Sequence, residues 1–289
     1  MSMDLRGKIA VITGASRGVG QRIAMRLARD GAACALVARG VDGLNATAAE
    51  IRAAGGRAEV FAADLGHSTP DMARELRRAV ETALGTPTIV VNAAGVFGPI
   101  RLIRDVDPAE WLETIAINSL TPFLLCREFV GGMIERRWGR IVNVTSAGAL
   151  HHPGPSNSAY ATSKVALNHF TRHLAAELAD TGVTANVIHP GDVKTEMWAD
   201  IRRKSRDLGP EAEGFRAWVN WVEETGGDDP DKAADLVSSL MTDAAAAVNG
   251  RFLWIENGLQ APIPSWGEPT GTQPWRTRAA SSPVNRPAT

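Results

Sequence analysis

KIAVITGASRGVG, residues 8–20, joins a short apolar run to a glycine-rich turn, and a periodic apolar segment follows. The apolar run is continuous rather than alternating, which is typical of a strand buried on both faces. After the turn, Val19, Ile23 and Leu27 recur at helical spacing, and Gly31 is placed to end that helix. The stretch therefore predicts a strand, a tight turn and a helix in succession.

The same alternation continues along the chain. Further apolar runs that predict strands lie at 33–38, 58–63, 88–93, 140–145, 183–188 and 251–255. Between them, Asp107, Pro108 and Glu110 have the pattern of an N-cap, a first-turn proline and a first-turn acid. A later helix is indicated by the apolar stripe Leu167, Phe170, Leu174 and Leu178. The alternation predicts the α/β class, with a doubly wound parallel sheet of about seven strands and helices on both faces.

Composition narrows the possible partners. The 289 residues include 31 basic and 32 acidic side chains, so no strong field favours nucleic acid or an anionic membrane. No apolar run is long enough for a membrane span, and the N-terminus leads straight into a strand pattern. Cys34 and Cys126 both lie in apolar patterns, which favours a reducing, cytoplasmic location over a disulfide framework. His151 and His152 are interpreted as loop residues, at most lining a pocket mouth, and no metal site is expected.

The chain is predicted to form one domain over residues 1–261. Within it, residues 196–229 stand where a strand-to-helix connection should be short, and they are rich in Trp, Arg and Glu. Phe215, Trp218 and Val222 are spaced as one helical stripe, which could line a pocket or form ordinary core or a subunit contact. Residues 262–289 contain six prolines and predict a disordered or surface-draped tail.

The glycine turn after the first strand has the properties of a phosphate cradle. Gly14, Gly18 and Gly20 allow a tight turn and a close approach of backbone to ligand. The following helix directs free N–H groups and its positive dipole end at the same place. The turn therefore indicates a dinucleotide site, with an ordinary strand-to-helix turn as the alternative.

The end of the second strand indicates which dinucleotide is bound. An NAD site commonly places an acid there for the ribose 2′-hydroxyl, but residues 33–41 contain no acid. Arg39, with Arg17 from the glycine turn, could instead hold a 2′-phosphate. This favours NADP(H) over NAD(H), unless both arginines are simply solvated.

Tyr160 is the only tyrosine of the chain, and Lys164 follows it at i+4. On a helix both side chains would lie on one face. A neighbouring ammonium favours phenolate and lowers the pKa of a phenol, which suits proton transfer near neutral pH. Ser146 ends the strand at 140–145 and could hold a carbonyl oxygen beside that phenol.

Taken in order, these motifs resemble the short-chain dehydrogenase/reductase family over roughly residues 5–260. The resemblance is carried by TGASRGVG (13–20), Asp64-Leu65, NAAG (92–95), Asn118, Ser146, YATSK (160–164) and PGDVKT (190–195). It implies a Rossmann-type fold and hydride transfer between a nicotinamide and a carbonyl or alcohol. The second asparagine often found in the family's NNAG motif is Ala93 here.

The resemblance also implies roles for individual residues. Tyr160 would be the general acid/base, Lys164 would lower its pKa and bind the nicotinamide ribose, and Ser146 would orient the substrate oxygen. Asn118 would hold a water in a proton relay. The cofactor would contact Gly14, Ser16, Arg17, Gly18, Val19, Gly20, Arg39, Asp64, Leu65, Asn92, Ala93, Gly95, Tyr160, Lys164, Pro190, Gly191, Val193 and Thr195. The substrate would contact Ser146. It would also contact Trp198, Phe215 and Trp218, which lie where the family carries its substrate-covering segment.

The leading hypothesis is an NADP(H)-dependent ketoreductase that acts on a bulky apolar or aromatic small molecule. The alternatives are a catalytically idle NADP(H)-binding regulator on the same fold and an enoyl-thioester reductase. The latter is disfavoured because such relatives usually separate the tyrosine and lysine by more residues. The family's habit of assembling through helices such as 107–137 and 160–180 implies a homodimer or homotetramer.

Overall fold

The computed structural model describes residues 4–150 and 154–255. These residues form a seven-stranded sheet of order β3-β2-β1-β4-β5-β6-β7, in which every pair of neighbours is parallel. The strands are β1 (Ile9–Thr13), β2 (Ala33–Ala38), β3 (Arg57–Ala62), β4 (Ile89–Asn92), β5 (Gly139–Val144), β6 (Val183–His189) and β7 (Phe252–Trp254). The predicted fold class is confirmed, and each predicted strand is present within about one residue of its expected bounds.

Helices cover both faces of the sheet. They are α1 (Gly18–Arg29), α2 (Val41–Ala53), α3 (Pro70–Leu84), α4 (Pro108–Ile115), α5 (Thr121–Glu135), α6 (Ser158–Glu177), α7 (Glu196–Ser205), α8 (Glu213–Thr225) and α9 (Pro230–Leu240). Within β1, Ile12 packs in the core beneath α1, α2 and α9, while its neighbour Val11 packs in the core beneath α3, α5 and α6. Two-sided burial explains why these strands are continuous apolar runs.

The helix signals read from sequence are confirmed. The Asp107 carboxylate accepts a hydrogen bond of 2.8 Å from the Ala109 N–H and caps α4. Gly31 follows α1 with a φ of +103°, a conformation that L side chains rarely adopt. Leu167 and Leu174 on α6 are buried against the sheet, and Leu178 directly follows that helix.

Residues 196–229, predicted as the substrate-covering segment, contain α7 and α8 and a short 3₁₀ turn between them. Phe215, Trp218 and Val222 all pack in one apolar cluster with Trp198, as the helical stripe predicted. The same cluster contains Tyr160, so the segment does pack over that residue. The predicted tail 262–289 and the histidines at 151 and 152 lie outside the described residues.

Candidate active site

A cleft of about 1810 Å³ lies at the carboxyl ends of the central strands. It lies beside the point where the strand order reverses between β1 and β4, which is where open α/β sheets bind ligands. Pockets for one small molecule have volumes of about 300–1000 Å³. The cleft therefore has room for a dinucleotide and a second molecule together.

The glycine turn forms one end of this cleft. Gly14 has a φ of +69°, and a Cβ there would lie 2.9 Å from the Ala94 Cα. A Cβ on Gly20 would lie 2.4 Å from the Gly14 carbonyl oxygen, so α1 can begin this close to β1 only with glycine. The turn leaves the first N–H groups of α1 facing the cleft, and this arrangement fits a diphosphate.

Arg17 and Arg39 line the same end and are mostly exposed, with 66% and 60% of their side chains accessible. Asp64 is engaged by the His67 ring at 2.8 Å and by the Gly66 N–H at 3.1 Å. These hydrogen bonds, His67 first, lower the pKa of Asp64, and the Arg39 charge adds to the effect. Leu65 lines the cleft, whereas the Asp64 carboxylate holds the turn that presents Leu65.

Asn92 lies beneath the cleft rather than on its surface. Its amide donates to the Asn143 amide oxygen at 2.8 Å, and Asn143 donates to the Thr171 hydroxyl at 2.8 Å, which links β4, β5 and α6. Ala93 and Gly95 line the cleft itself. The Thr13 hydroxyl accepts from the N–H groups of Ala93 and Ala94, each at 3.1 Å, and so joins β1 to the loop after β4. Sequence reasoning did not single out Thr13.

Tyr160 and Lys164 lie one turn apart near the start of α6, and both line the cleft with Ser146. Their side chains are buried, and the Lys164 ammonium lies 5.6 Å from the Tyr160 ring centroid. That ammonium donates to the Val144 carbonyl oxygen at 2.9 Å. Burial lowers the pKa of Lys164 to about 8.

The pKa of Tyr160 lies above its usual value. Burial is the main cause, and the negative charge of Asp192 adds to it, whereas a hydrogen bond with Ser146 acts in the opposite direction. The expectation of a lowered pKa is therefore wrong for this structure. Lys164 is bonded to backbone, and desolvation of the phenol outweighs the contribution of Ser146.

Asn118 lies in a π-helical turn, Ala116–Leu120, between α4 and α5. Such turns occur often at functional sites. The Asn118 amide accepts from the Val96 N–H at 3.0 Å and donates to the Val96 carbonyl at 2.9 Å and to the Ser163 hydroxyl at 3.0 Å. The side chain thus fixes the loop after β4 against α6, and the predicted water-holding role of Asn118 stays a prediction.

Aromatic side chains form a wall beside the phenol. Phe97 stacks on Tyr160 with ring centroids 4.6 Å apart, and Phe215 meets Phe97 edge-on at 5.6 Å. Trp198 also lines the cleft, but it is buried and its indole donates to the Val219 carbonyl at 3.3 Å, which joins α7 to α8. Sequence reasoning missed Phe97, whose position just after the NAAG motif was an available signal.

The loop after β6 contributes Pro190, Gly191, Val193 and Thr195 to the lining of the cleft, and their contact with the nicotinamide end of the cofactor stays a prediction. Asp192 also lines the cleft, although sequence reasoning passed over it. Its carboxylate accepts from the Trp218 indole at 3.0 Å, so this loop is bound to α8.

A family model described as "short chain dehydrogenase" matches residues 8–206, well over half of the chain. The chain is a short-chain dehydrogenase. The matched range contains the glycine turn, Ser146, Tyr160, Lys164 and the loop after β6.

Curated and solved relatives agree with this family. This short-chain dehydrogenase is 34% identical to the 3-oxoacyl-acyl-carrier-protein reductase of Pseudomonas aeruginosa over 89% of the chain and 99% of that protein. An actinorhodin polyketide ketoreductase variant with NADPH is 31% identical over 86% of the chain and 95% of its own, with a TM-score of 0.76. The L-sorbose reductase of Gluconobacter frateurii, complexed with NADPH and L-sorbose, is 28% identical over 89% and 98%, with a TM-score of 0.77.

The short-chain dehydrogenase is thus an NAD(P)-dependent oxidoreductase that acts on a small molecule. Among residues 4–150 and 154–255, no helix is both long and apolar enough to cross a membrane. The same residues contain no cluster of three metal-ligating side chains.

Proposed function

We propose that the protein is an NADP(H)-dependent ketoreductase that acts on a bulky apolar or aromatic small molecule. The observation that carries this proposal is the placing of Ser146, Tyr160 and Lys164 in one cleft with the glycine turn, under an aromatic wall. The similarity to a 3-oxoacyl-acyl-carrier-protein reductase and to a polyketide ketoreductase supports the same reaction. We assign the activity to a single domain over residues 1–261.

The nicotinamide cofactor supplies the hydride, and the chain supplies orientation and the proton. The Ser146 hydroxyl donates to the carbonyl oxygen and holds it beside the phenol. Tyr160 transfers its proton to that oxygen as the alcohol forms. A raised pKa keeps Tyr160 protonated at neutral pH, which suits reduction. The Lys164 ammonium, together with Ser146, stabilises the resulting phenolate. With a nicotinamide cofactor bound, the same ammonium would hold the nicotinamide ribose.

Replacement of the phenol tests this mechanism. Tyr160→Phe removes the proton donor but keeps the ring that stacks on Phe97. We expect turnover with NADPH and an aryl ketone to fall by about 10²–10⁴-fold, the usual contribution of a general acid. NADPH binding, followed by its fluorescence, should change little. A variant with full activity would contradict the assignment of Tyr160.

We assign the preference for NADP(H) to Arg17 and Arg39. Both guanidinium groups line the cleft, where Asp42 and Asp64 do not, and their nearest carboxylates are only loosely paired, Glu196 at 3.9 Å from Arg17 and Asp64 at 4.0 Å from Arg39. Arg39→Asp should therefore shift the ratio of kcat/KM from NADPH toward NADH by at least about tenfold, since a phosphate would then face a carboxylate. If the wild-type enzyme already prefers NADH, this assignment is wrong.

We also propose a homodimer or homotetramer. Leu112 on α4, Leu120 in the π-helical turn, Phe123 on α5 and Val165 on α6 are between 42% and 61% exposed. The helix α4 packs against α6, and the π-helical turn packs against α4, α5 and α6. Phe123 contacts Phe170 edge-on, which joins α5 to α6 along this face. An exposed apolar surface of this kind is typical of a subunit interface.

A further inference from the structure

The side chain of Asp192 is held in a fixed position on the substrate side of the cleft. The Asp192 N–H donates to the Asp228 carboxylate at 2.9 Å, and the Asp228 N–H donates to the Asp192 carbonyl at 3.0 Å. The Trp218 indole N–H holds the Asp192 carboxylate itself. Trp218 packs against the same apolar cluster as Phe97 and Tyr160. The carboxylate therefore has a defined place next to the aromatic side chains that surround the reacting group.

Within the described part of the chain, no ion pair neutralises Asp192. The nearby Lys194 ammonium pairs with Glu223 at 3.1 Å instead. Asp200 provides a contrast, because it lines the same cleft but is bound by Arg203 and by Lys204, the latter at 2.8 Å. A carboxylate in a partly enclosed site needs donors to replace lost water. Trp218 supplies one donor, and the remaining acceptor capacity of Asp192 faces the cleft.

A second polar side chain that lines the cleft is Asn157. Asn157 occupies the N-cap position of α6, yet its side chain caps no backbone N–H. Among residues 4–150 and 154–255, its buried amide oxygen has no hydrogen-bond partner, and the residue lines the cleft three positions before Tyr160. A buried polar atom without a partner costs about 1–3 kcal/mol.

We propose that Asp192 recognises a hydrogen-bond-donating substituent of the substrate. The substrate is then a neutral or cationic ketone with an apolar body and a second polar group, such as a hydroxyl or an ammonium. The aromatic wall takes the apolar body, and the Asp192 carboxylate accepts from the donor. An anionic group at the same place would meet an unneutralised carboxylate and be rejected. This inference rests on the ketoreductase function proposed above.

Aryl ketones in sets of three test the inference. Within a set the ring substituent is hydroxymethyl, methyl or carboxylate at one ring position, and one set is made for each position. Wild-type enzyme should prefer the hydroxymethyl ketone to the carboxylate ketone by at least about 100-fold in kcat/KM, since polar recognition in partly buried sites reaches this size. Asp192→Asn keeps an acceptor for Trp218 but removes the charge. The preference should then fall at least about tenfold.

Asp200→Asn is the matched control, because it also removes a cleft carboxylate, but one that is already paired. It should keep the wild-type preference. An unchanged preference in Asp192→Asn would overturn the inference. So would an equal rise in the KM for NADPH with all three ketones, since Asp192 would then serve the cofactor.

The proposed function fails separately, if wild-type enzyme reduces no ketone with either cofactor. In that case the dissociation constants of the three corresponding alcohols, measured by quenching of tryptophan fluorescence, still test Asp192. Wild-type protein should bind the hydroxymethyl compound at least about tenfold more tightly than the carboxylate, and Asp192→Asn should not. Equal affinities in wild-type protein would overturn the inference without reference to turnover.

Discussion

Lys164 shows how a single residue of the site affects stability. Its ammonium is buried and bonded to one backbone carbonyl, and its pKa is lowered from 10.5 to about 8. Below pH 8 the lysine is protonated in both folded and unfolded chains, and burial of the charge opposes folding by about 3 kcal/mol. Between pH 8 and 10.5 the unfolded chain holds the proton and the folded chain does not, so stability rises with pH.

Lys164→Met should make this contribution measurable. At pH 7 we expect the variant to be more stable by about 2 kcal/mol, because removal of the charge outweighs loss of the hydrogen bond to Val144. By pH 10 this advantage should disappear. Urea unfolding at both pH values, at one protein concentration, gives the difference.

Comparison with wild-type protein is essential in this experiment. Cys34 and Cys126, whose pKa values burial raises to about 12, reduce stability above pH 9 in both proteins, and their effect cancels in the difference. A stability gap that does not change with pH would contradict the lowered pKa of Lys164.

Arrangements of residues that are close in the sequence could be predicted, whereas contacts between residues far apart in the sequence could not. Tyr160 and Lys164 are one helical turn apart, so their shared face follows from spacing alone. Phe97 meets Tyr160 only because the loop after β4 folds over α6, a contact between residues 63 positions apart. Asp192 is held in place by hydrogen bonds with Trp218 on α8 and with Asp228, and no sequence spacing predicts either contact.

At the scale of elements, the junction of β1 and α1 tolerates no side chain at Gly20. Gly20→Ala would place a methyl group 2.4 Å from the Gly14 carbonyl oxygen, and this contact involves backbone rather than a movable side chain. We expect α1 to shift and affinity for NADPH to fall by at least about tenfold, because the N–H groups at its start no longer converge. Titration of NADPH fluorescence measures the loss.

Gly131→Ala is the corresponding control. Gly131 lies in α5, where an added Cβ meets no atom within 4 Å, and alanine is the better helix former by about 1 kcal/mol. This variant should bind NADPH as wild-type protein does and unfold at a slightly higher temperature. Similar losses of affinity in the two glycine variants would show that the contact at Gly20 is not the cause.

Helices and strands with a strong local sequence pattern could be predicted, whereas the contacts that these elements make with one another could not. The strands could be placed because burial on both faces makes each one a continuous apolar run. The segment 196–229 was recognised by composition, but its division into α7 and α8 depends on contacts. Trp198 of α7 shows this most clearly, because it packs against α8 and its indole donates to the Val219 carbonyl.

At the scale of the whole molecule, the exposed apolar face of α4, α5 and α6 predicts assembly. Charged substitutions at its centre, Phe123→Asp with Val165→Asp, should separate the subunits, because two carboxylates would have to be buried in the interface. Light scattering after size-exclusion chromatography should then give the mass of one chain, 30.7 kDa.

Val41→Asp is the control for this experiment, since Val41 is similarly exposed but lies on α2, across the sheet. It should leave the assembly unchanged. If the double variant keeps the mass of the wild-type assembly, the subunits associate through another surface.

The hydrogen bonds that join the loop after β6 to α8 and to the residues just after it have a consequence for the selection of variants. Val193 forms a bridge with Gly227, and Asp192 is bonded to both Asp228 and Trp218. Residues proposed to contact the cofactor are therefore joined by hydrogen bonds to residues proposed to select the substrate. Variants of α8 chosen in the laboratory for a new substrate will also alter the affinity for cofactor, and compensating changes will arise in the loop. We therefore expect substrate range and cofactor affinity to change together.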